Sequence, residues 1–562
     1  MAYHDVSGAT FDELLRMLET TDPAHANTFN PLFRQLINND VALKEAFSEL
    51  SLTKNKQAEF LLNLHKTAKK YGVHFDDFAI NPSPVGTRLF DAVGMIALPS
   101  TDTVRAQNDF ETESVFYHLE VNGYVDEDGE FVVQYIKDLD PEFSRTARDV
   151  WCLYLTQWIS ITIDANGENK VLSDVQFPGS FPEGGAIRTD GTIRPFVAVA
   201  KYQDSSDNST GTPNSISGAA PSYNNSHNGL ITKMARKGSQ YCATSFQDVE
   251  RMNNLMDVAF ATRHSQSIMA GATGYYYQYP ATVVETAVER IIISKSQANT
   301  LVVGSCVSIG NATVLNGDGT AGNIDRAQAG MHAKANRVKI VSIEEYDSNN
   351  SIVTVDNGGT TFNTSSTTVS GVECPTYLST MPWHTGSCDT VLGSCGSPNN
   401  NTNGRNPCLL FGVEFSLGQY EVCGNAIMNI VDGVMTPYVC YDSTDISSSA
   451  PTADYEEVGY NVALTDNAWK YISELGFDGD NPMARYGTWV DATSSTGYAD
   501  GQHTGVVDEN TNTKREILLF GFLGNTALAG RRCANLNFAL SGSTWSFGAR
   551  LSASGRCAQA AA

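Results

Sequence analysis

From about Thr87 onward the hydrophobic residues of this chain come in strand-length pieces that Gly, Asn, Asp and Ser cut short. Residues 114–121 and 131–136 are two such pieces, with an Asp128-Gly129 turn signal between them. Residues 337–343 and 351–355 alternate with a period of two, and Asp347-Ser348-Asn349-Asn350 supplies the turn. The final 190 or so residues are rich in Gly, Asn, Ser and aromatics, with one modest helix expected near 467–475. This patterning predicts an α+β fold with many short strands and long loops. Hydrophobic residues make up 41% of the 562, enough to build real cores, while charged residues reach only 18%.

Helical signals concentrate at the start. Thr10 and Glu13 form a capping box ahead of Leu14, Leu15 and Leu18. Asn30-Pro31 opens a longer helix. In it Leu32, Leu36, Asn39, Leu43, Ala46 and Leu50 alternate spacings of four and three. Such a seam, with one polar residue inside, serves either self-association or packing on its own domain. A further helical stretch lies around Phe60, Leu61, Leu64 and Ala68, so roughly the first 80 residues read as helical. Residues 246–261 form the best amphipathic helix, with Phe246, Val249, Met252, Leu255, Met256, Ala259 and Phe260 on one face. Residues 204–228 read as a surface loop, Tyr275-Tyr276-Tyr277 with Tyr279 as aromatic packing, and 288–371 as an inserted β unit.

Charge narrows the function. Lys plus Arg total 37 against 62 Asp plus Glu, a net charge of −25. Phosphate affinity needs clustered Lys and Arg, so nucleic acid and anionic membrane are poor partners. No run approaches the ~20 apolar residues of a transmembrane helix. The start, Met1-Ala2-Tyr3-His4-Asp5, carries no signal-peptide pattern, which points to synthesis in the cytosol. The eleven cysteines include no C-x-x-C pair, so buried free thiols are expected rather than zinc ligands. Later oxidation outside a cell stays open.

No P-loop, G-x-S-x-G, H-E-x-x-H or EF-hand loop occurs. Asn316-Gly317-Asp318-Gly319-Thr320 lacks the acidic spacing and final Glu of a Ca²⁺ loop and reads as a turn. His384 reads as structural. No catalytic residue, metal or cofactor is expected from these residues, and the chain reads as a binder.

Three segments carry a family resemblance. Phe520-Gly521-Phe522 through Gly530-Arg531-Arg532-Cys533-Ala534-Asn535, then Trp545 and Gly548-Ala549-Arg550-Leu551, resembles the C-terminal signature of the C-type-lectin fold in its formylglycine-generating-enzyme-like form. Phe411-Gly412-Val413-Glu414, Tyr420-Glu421, Gly424-Asn425 and Asp432-Gly433 resemble its core motif. Phe260-Ala261-Thr262 with residues 265–269 is similar to its helix and following turn. Residues 22–30 and 36–43 resemble the start of phage tail and fibre proteins.

The resemblance implies four parts: a helical attachment and oligomerisation segment (1–85), a first lectin-like part (86–290), an inserted β domain (291–371) and a second lectin-like part with the ligand-binding region (372–562). It implies a virion protein of the tail, a homo-oligomer with a trimer favoured. The N-terminal segment would join other tail proteins and the tip a bacterial surface receptor, protein or glycan. A decoration protein of head or tail, with no receptor role, is the alternative.

The chain is also similar to variable proteins of diversity-generating retroelements. Where the family pattern around Trp545 often has Asn or Ile, this chain departs at Phe538, Gly542, Thr544, Ser546 and Phe547, all reachable by changing adenines in the codon. The implied ligand-binding residues are Phe520, Phe522, Leu523, Asn525, Thr526, Ala527, Leu528, Phe538, Gly542, Thr544, Ser546 and Phe547. Clustered apolar residues in exposed loops mark an interaction patch; the alternative is that some of these side chains fill the domain core, a reading that fits Phe520 as well as exposure does. Trp545, Gly548 and Arg550 read as scaffold, Arg550 satisfying buried carbonyls or a carboxylate. Enzymes of this fold look like copper-thiolate oxidases using two nearby cysteines; between Lys514 and Arg550 this chain has only Cys533, so no enzyme activity is expected.

Overall fold

A computed structural model describes residues 53–320 and 325–559, with Arg34 alone of the earlier segment. The Thr10 capping box and the 32–50 seam lie outside the described residues. Helix α1 (Lys54–Asn63) is capped by Thr53, whose hydroxyl accepts from the Lys56 amide at 3.4 Å. It stops short of the expected Ala68. The amides of Thr67 and Ala68 donate instead to Asp174, at 2.7 and 3.0 Å, and Ala68 takes φ +56°. The chain then turns into the strand Lys70–Asp76, which corrects the all-helical reading of the first 80 residues. Its period of two, Tyr71, Val73 and Phe75, faces the core.

That strand lies in a five-stranded antiparallel sheet between Thr87–Phe90 and Gly167–Ser173, with Trp158–Asp164 and Phe181–Pro182 beyond. A second, six-stranded sheet runs Cys242–Ala243, Arg550–Ser552, Phe196–Gln203, Val150–Leu155, Leu119–Val125, Phe131–Ile136. The strand from the C-terminal region thus sits inside a sheet built from the first half of the chain. Residues 114–116, expected as strand, form a 3₁₀ turn before Leu119–Val125.

The inserted unit is a six-stranded sheet in the order Gln278–Pro280, Thr376–Met381, Cys306–Asn311, Ala335–Glu345, Asn350–Val355, Arg290–Ser294. It recruits a strand on each side of the expected 291–371 bounds. Asp347 shapes the predicted turn, its carboxylate accepting from the amides of Asn349 and Asn350 at 2.7 and 2.8 Å. The last part of the chain adds a six-stranded sheet holding Tyr420–Val422, Leu518–Leu519, Ala534–Asn535 and Phe547–Gly548, and a four-stranded one around Ala426–Val431. The helix expected at 467–475 is absent. Asp466 and Asn467 take left-handed φ of +54° and +60°, which breaks a helix start, and the short strands Lys470–Tyr471 and Glu474–Leu475 follow.

The 204–228 segment is a loop, but it is clamped rather than lying free on the surface. Asp204 is fully buried, pairs with Lys233 at 2.5 Å, and accepts from Asn214 and Ser222. The loop ends in helix α2 (His227–Ala235), capped by Ser226.

Helix α3 (Phe246–Phe260) is the central element. Ser245 caps it and Ala261 closes it at φ +48°. The apolar face predicted from spacing enters the main core. The opposite face is polar, yet all 15 residues are buried. Charge partners from distant segments cover it. Arg251 pairs with Glu183, Glu250 with Arg532, and Asp257 with Lys170 at 2.6 Å and Arg532 at 3.2 Å. Asp248 accepts from the hydroxyls of Ser552 and Ser554 at 2.6 and 2.7 Å. Buried charges of this kind persist only when matched.

Arg251→Met strands the Glu183 carboxylate and should cost about 3–5 kcal/mol in urea unfolding. Adding Glu183→Gln should recover part of that loss, a non-additivity read from the double-mutant cycle.

Candidate functional site

The C-terminal loops hang on one buried ion pair. Tyr420–Val422 lies between Leu518–Leu519, antiparallel, and Phe547–Gly548, parallel. Glu421 in its middle is fully buried. Its carboxylate accepts from Arg550 Nε at 2.7 Å and Nη2 at 2.5 Å. Gln203 and Thr244 add donors at 3.1 Å each. Burial pushes Glu421 up, but the Arg550 charge outweighs it and holds the carboxyl below its ordinary range. Arg550 also donates to the carbonyls of Ala200 at 3.0 Å and Glu414 at 2.8 Å, and its guanidinium lies 4.3 Å from the Phe415 ring centre. The expected scaffold role of Arg550 is therefore met by a carboxylate and by carbonyls together. Beside it, Gly548 admits no side chain: a Cβ there would lie 1.8 Å from Gln419 Nε2.

The predicted ligand-binding residues divide in two. Phe520, Leu523, Asn525, Ser546 and Phe547 are buried. This corrects the reading of Leu523 and Phe547 as exposed patch, and for Phe520 it selects the core-filling alternative. Phe520 packs on Phe415 at 5.4 Å between ring centres, with the Arg531 guanidinium 4.6 Å away. Leu523 joins the core of the inserted sheet. Phe547 meets Tyr420 and Phe538 edge-on. Asn525 shapes the loop, its side-chain oxygen accepting from the Phe522 amide at 2.8 Å. Thr526 and Ala527 are exposed, and Phe522, Leu528, Phe538, Gly542 and Thr544 are partly exposed.

Tyr276 joins the second group and was missed in the sequence, where the tyrosine run reads as packing throughout. The run in fact splits. Tyr275 is buried and bonded to Ser305 at 2.9 Å, while Tyr276 is 48% exposed. Tyr276 stacks on Trp545 with ring centres 6.0 Å apart, and Phe522 stands edge-on 5.8 Å from it. Arg326 closes the cluster 3.8 Å from the Tyr276 ring centre, fixed by bonds to the carbonyls of Thr380 at 3.0 Å and Tyr277 at 2.6 Å. Only the fold could bring Arg326 here.

A polar cleft of about 430 Å³ adjoins Thr544, lined by Asp207, Asn208, Tyr223, Asn224 and Arg337 among others. The Asn224 amide donates to the Thr544 carbonyl at 3.0 Å, and Arg337 lies 4.3 Å from the Tyr223 ring centre. Aromatic faces beside amide, carboxylate and guanidinium groups equip this surface for binding.

Elsewhere the expected structural roles are visible. His384 Nε2 lies 2.7 Å from the Arg337 carbonyl, and the Asn316 amide donates to Thr320 at 3.0 Å across a turn. All eleven cysteines are free and buried, and burial pushes the Cys533 thiol well up. Among the described residues no cluster of His, Cys, Asp and Glu could hold a metal, and no helix is long and apolar enough to cross a membrane. No family model matches the sequence, and no curated protein matches it.

Under the loops, Glu516 is fully buried, accepts from the His227 amide at 2.9 Å, and lies within 3.4 Å of a Cβ placed on Gly542. Burial pushes its carboxyl up to about 8. The folded pKa then exceeds the unfolded value of about 4.3, so the folded state holds the extra proton. Its stabilising contribution is full below about pH 4 and is lost as pH rises through about 8. Wild type should lose up to about 1 kcal/mol per pH unit across that window, and Glu516→Gln should flatten the slope in urea titrations.

Proposed function

We propose that this chain is a receptor-binding protein of a phage tail, with a C-type-lectin-like C-terminal region that presents diversified loops to a bacterial surface receptor. The N-terminal segment joins it to other tail proteins in a homo-oligomer, with a trimer favoured. The surface acts by binding, without catalysis, cofactor or metal.

One observation carries the reading. The pattern-keeping run Gly548, Ala549, Arg550 and Leu551 is buried, whereas the loop before Trp545 reaches the surface, with Ala539 and Ser541 exposed beside the departing, partly exposed Phe538, Gly542 and Thr544. Ser546 and Phe547 depart and are buried, so variation there would act by tilting the loop from beneath. Rigid support under variable loops is how a single fold accommodates many ligands. Phe522 and Tyr276, backed by the buried Trp545, supply the kind of aromatic anchor that dominates binding energy.

The test is retention of host cells by the full-length protein against a Phe522→Ala plus Phe538→Ala variant, with circular dichroism confirming that both fold. The variant should bind at least about tenfold more weakly, the equivalent of ~1.4 kcal/mol. Equal retention would remove the site assignment. An adjacent reverse-transcriptase gene, with a template repeat whose adenines fall in the codons of 537–547, would support diversification, and an invariant segment across related phages would oppose it.

A further inference from the structure

Below the loop that carries Phe522, three arginines line one small cavity. Arg485, Arg531 and Arg532 surround a space of about 20 Å³, with Glu250, Asn253 and Tyr486 among its other walls. That volume admits one water-sized particle. The three residues are 6–7% exposed. Two of them have acidic partners. Arg532 is held by Glu250 and Asp257, and Arg485 donates Nη2 to Glu168 at 2.7 Å.

Arg531 is different. Its Nε donates to the neutral amide oxygen of Asn253 at 3.2 Å, and its guanidinium lies 3.9 Å from the Phe415 ring centre. Among the described residues no carboxylate forms an ion pair with it. Asp500 is near, with Oδ2 bonded to the Arg532 amide at 2.7 Å and Oδ1 buried without a hydrogen-bond partner, and burial drives its pKa well up, towards the neutral acid. Arg531 Nη1 and Nη2, Arg485 Nε and Nη1, and Arg532 Nε have no acceptor in the protein. Aromatic faces attract a guanidinium but leave its N–H groups unsatisfied, and a buried cation without an anion is strongly unfavourable.

We propose that this cavity binds one monatomic anion of chloride size, held by the N–H groups of Arg531 and Arg485. Size excludes phosphate and sulfate. Charge favours a halide over water, since three arginines face the cavity and Glu250, the acid among its lining residues, has both oxygens occupied by Arg532. Burial pushes Arg531 down only to about 10, so it stays cationic at neutral pH. The site has a structural consequence. Arg531 follows the exposed Thr526–Leu528 turn, and its amide is tied to Ser265 Oγ at 3.0 Å. The anion therefore fastens the base of this loop to the segment that carries Arg485, beside the tie that Arg531 Nε already makes to Asn253 of helix α3. This inference stands apart from the receptor reading and can hold if that reading fails.

Two measurements test it on the full-length protein. Crystals grown in sodium bromide should show an anomalous peak between Arg531 and Arg485. The unfolding midpoint should fall by about 2 °C when potassium chloride is replaced by potassium gluconate at equal ionic strength, and Arg531→Gln should abolish that difference. A bromide map with no peak there, an equal midpoint in both salts, or an undiminished difference in the variant would each overturn the proposal. If Arg531→Gln fails to fold, the bromide map and the wild-type midpoints still decide it.

Discussion

The Glu421–Arg550 pair joins pieces of chain that are far apart in sequence. Glu421 sits in the sheet that supports the loops, and Arg550 sits in a strand inserted between Cys242–Ala243 and Phe196–Gln203. The fork geometry of a guanidinium on a carboxylate fixes both distance and angle. Gln203, Thr244 and the carbonyls of Ala200 and Glu414 complete the coordination, so the pair has no unsatisfied oxygen and little freedom. Phe547 and Gly548, three and two residues before Arg550, are placed by this anchor, and with them the end of the loop that carries Phe538, Gly542 and Thr544.

Helix α3 extends the same logic. A helix with no exposed residue and several charges needs partners of opposite sign on every polar side, and those partners come from the first sheet (Lys170), the loop before Ala186 (Glu183) and the C-terminal region (Arg532). Such a network is a costly source of stability compared with apolar packing, but it specifies which segments meet. The outcome is a stiff interior under loops that carry the exposed side chains. The inserted sheet contributes to the same surface, because its core shares Leu523 and Trp545 with the C-terminal loops.

What was legible in the sequence followed local rules. The strand Phe131–Ile136, the Asp347 turn, the apolar face of α3 and the scaffold roles of Trp545, Gly548 and Arg550 all rest on period, turn chemistry or residue type. What was not legible depended on distant partners. The polar face of α3 shows no partner in the sequence, because Arg532, 282 residues from Glu250, covers it only in the fold. Leu523 and Phe547 read as exposed, and Phe520 as exposed or core, because Gly and small polar residues flank them, yet the aromatic and aliphatic side chains they pack against come from other strands. Tyr276 gave no signal distinct from Tyr275. Residues 467–475 have helical composition, but the left-handed backbone at Asp466 and Asn467 overrides it.

The central claim is that a rigid buried scaffold carries loops whose side chains are free to vary for binding. A saturation scan of residues 515–552, read separately for soluble folded protein and for retention on host cells, tests it most directly. The account predicts that substitutions at Thr526, Ala527, Phe538, Gly542 and Thr544 leave folding largely intact while changing cell retention, and that substitutions at Gly548, Ala549 and Arg550 abolish folding. Uniform tolerance along the segment, or retention that follows folded protein alone at every position, would contradict it.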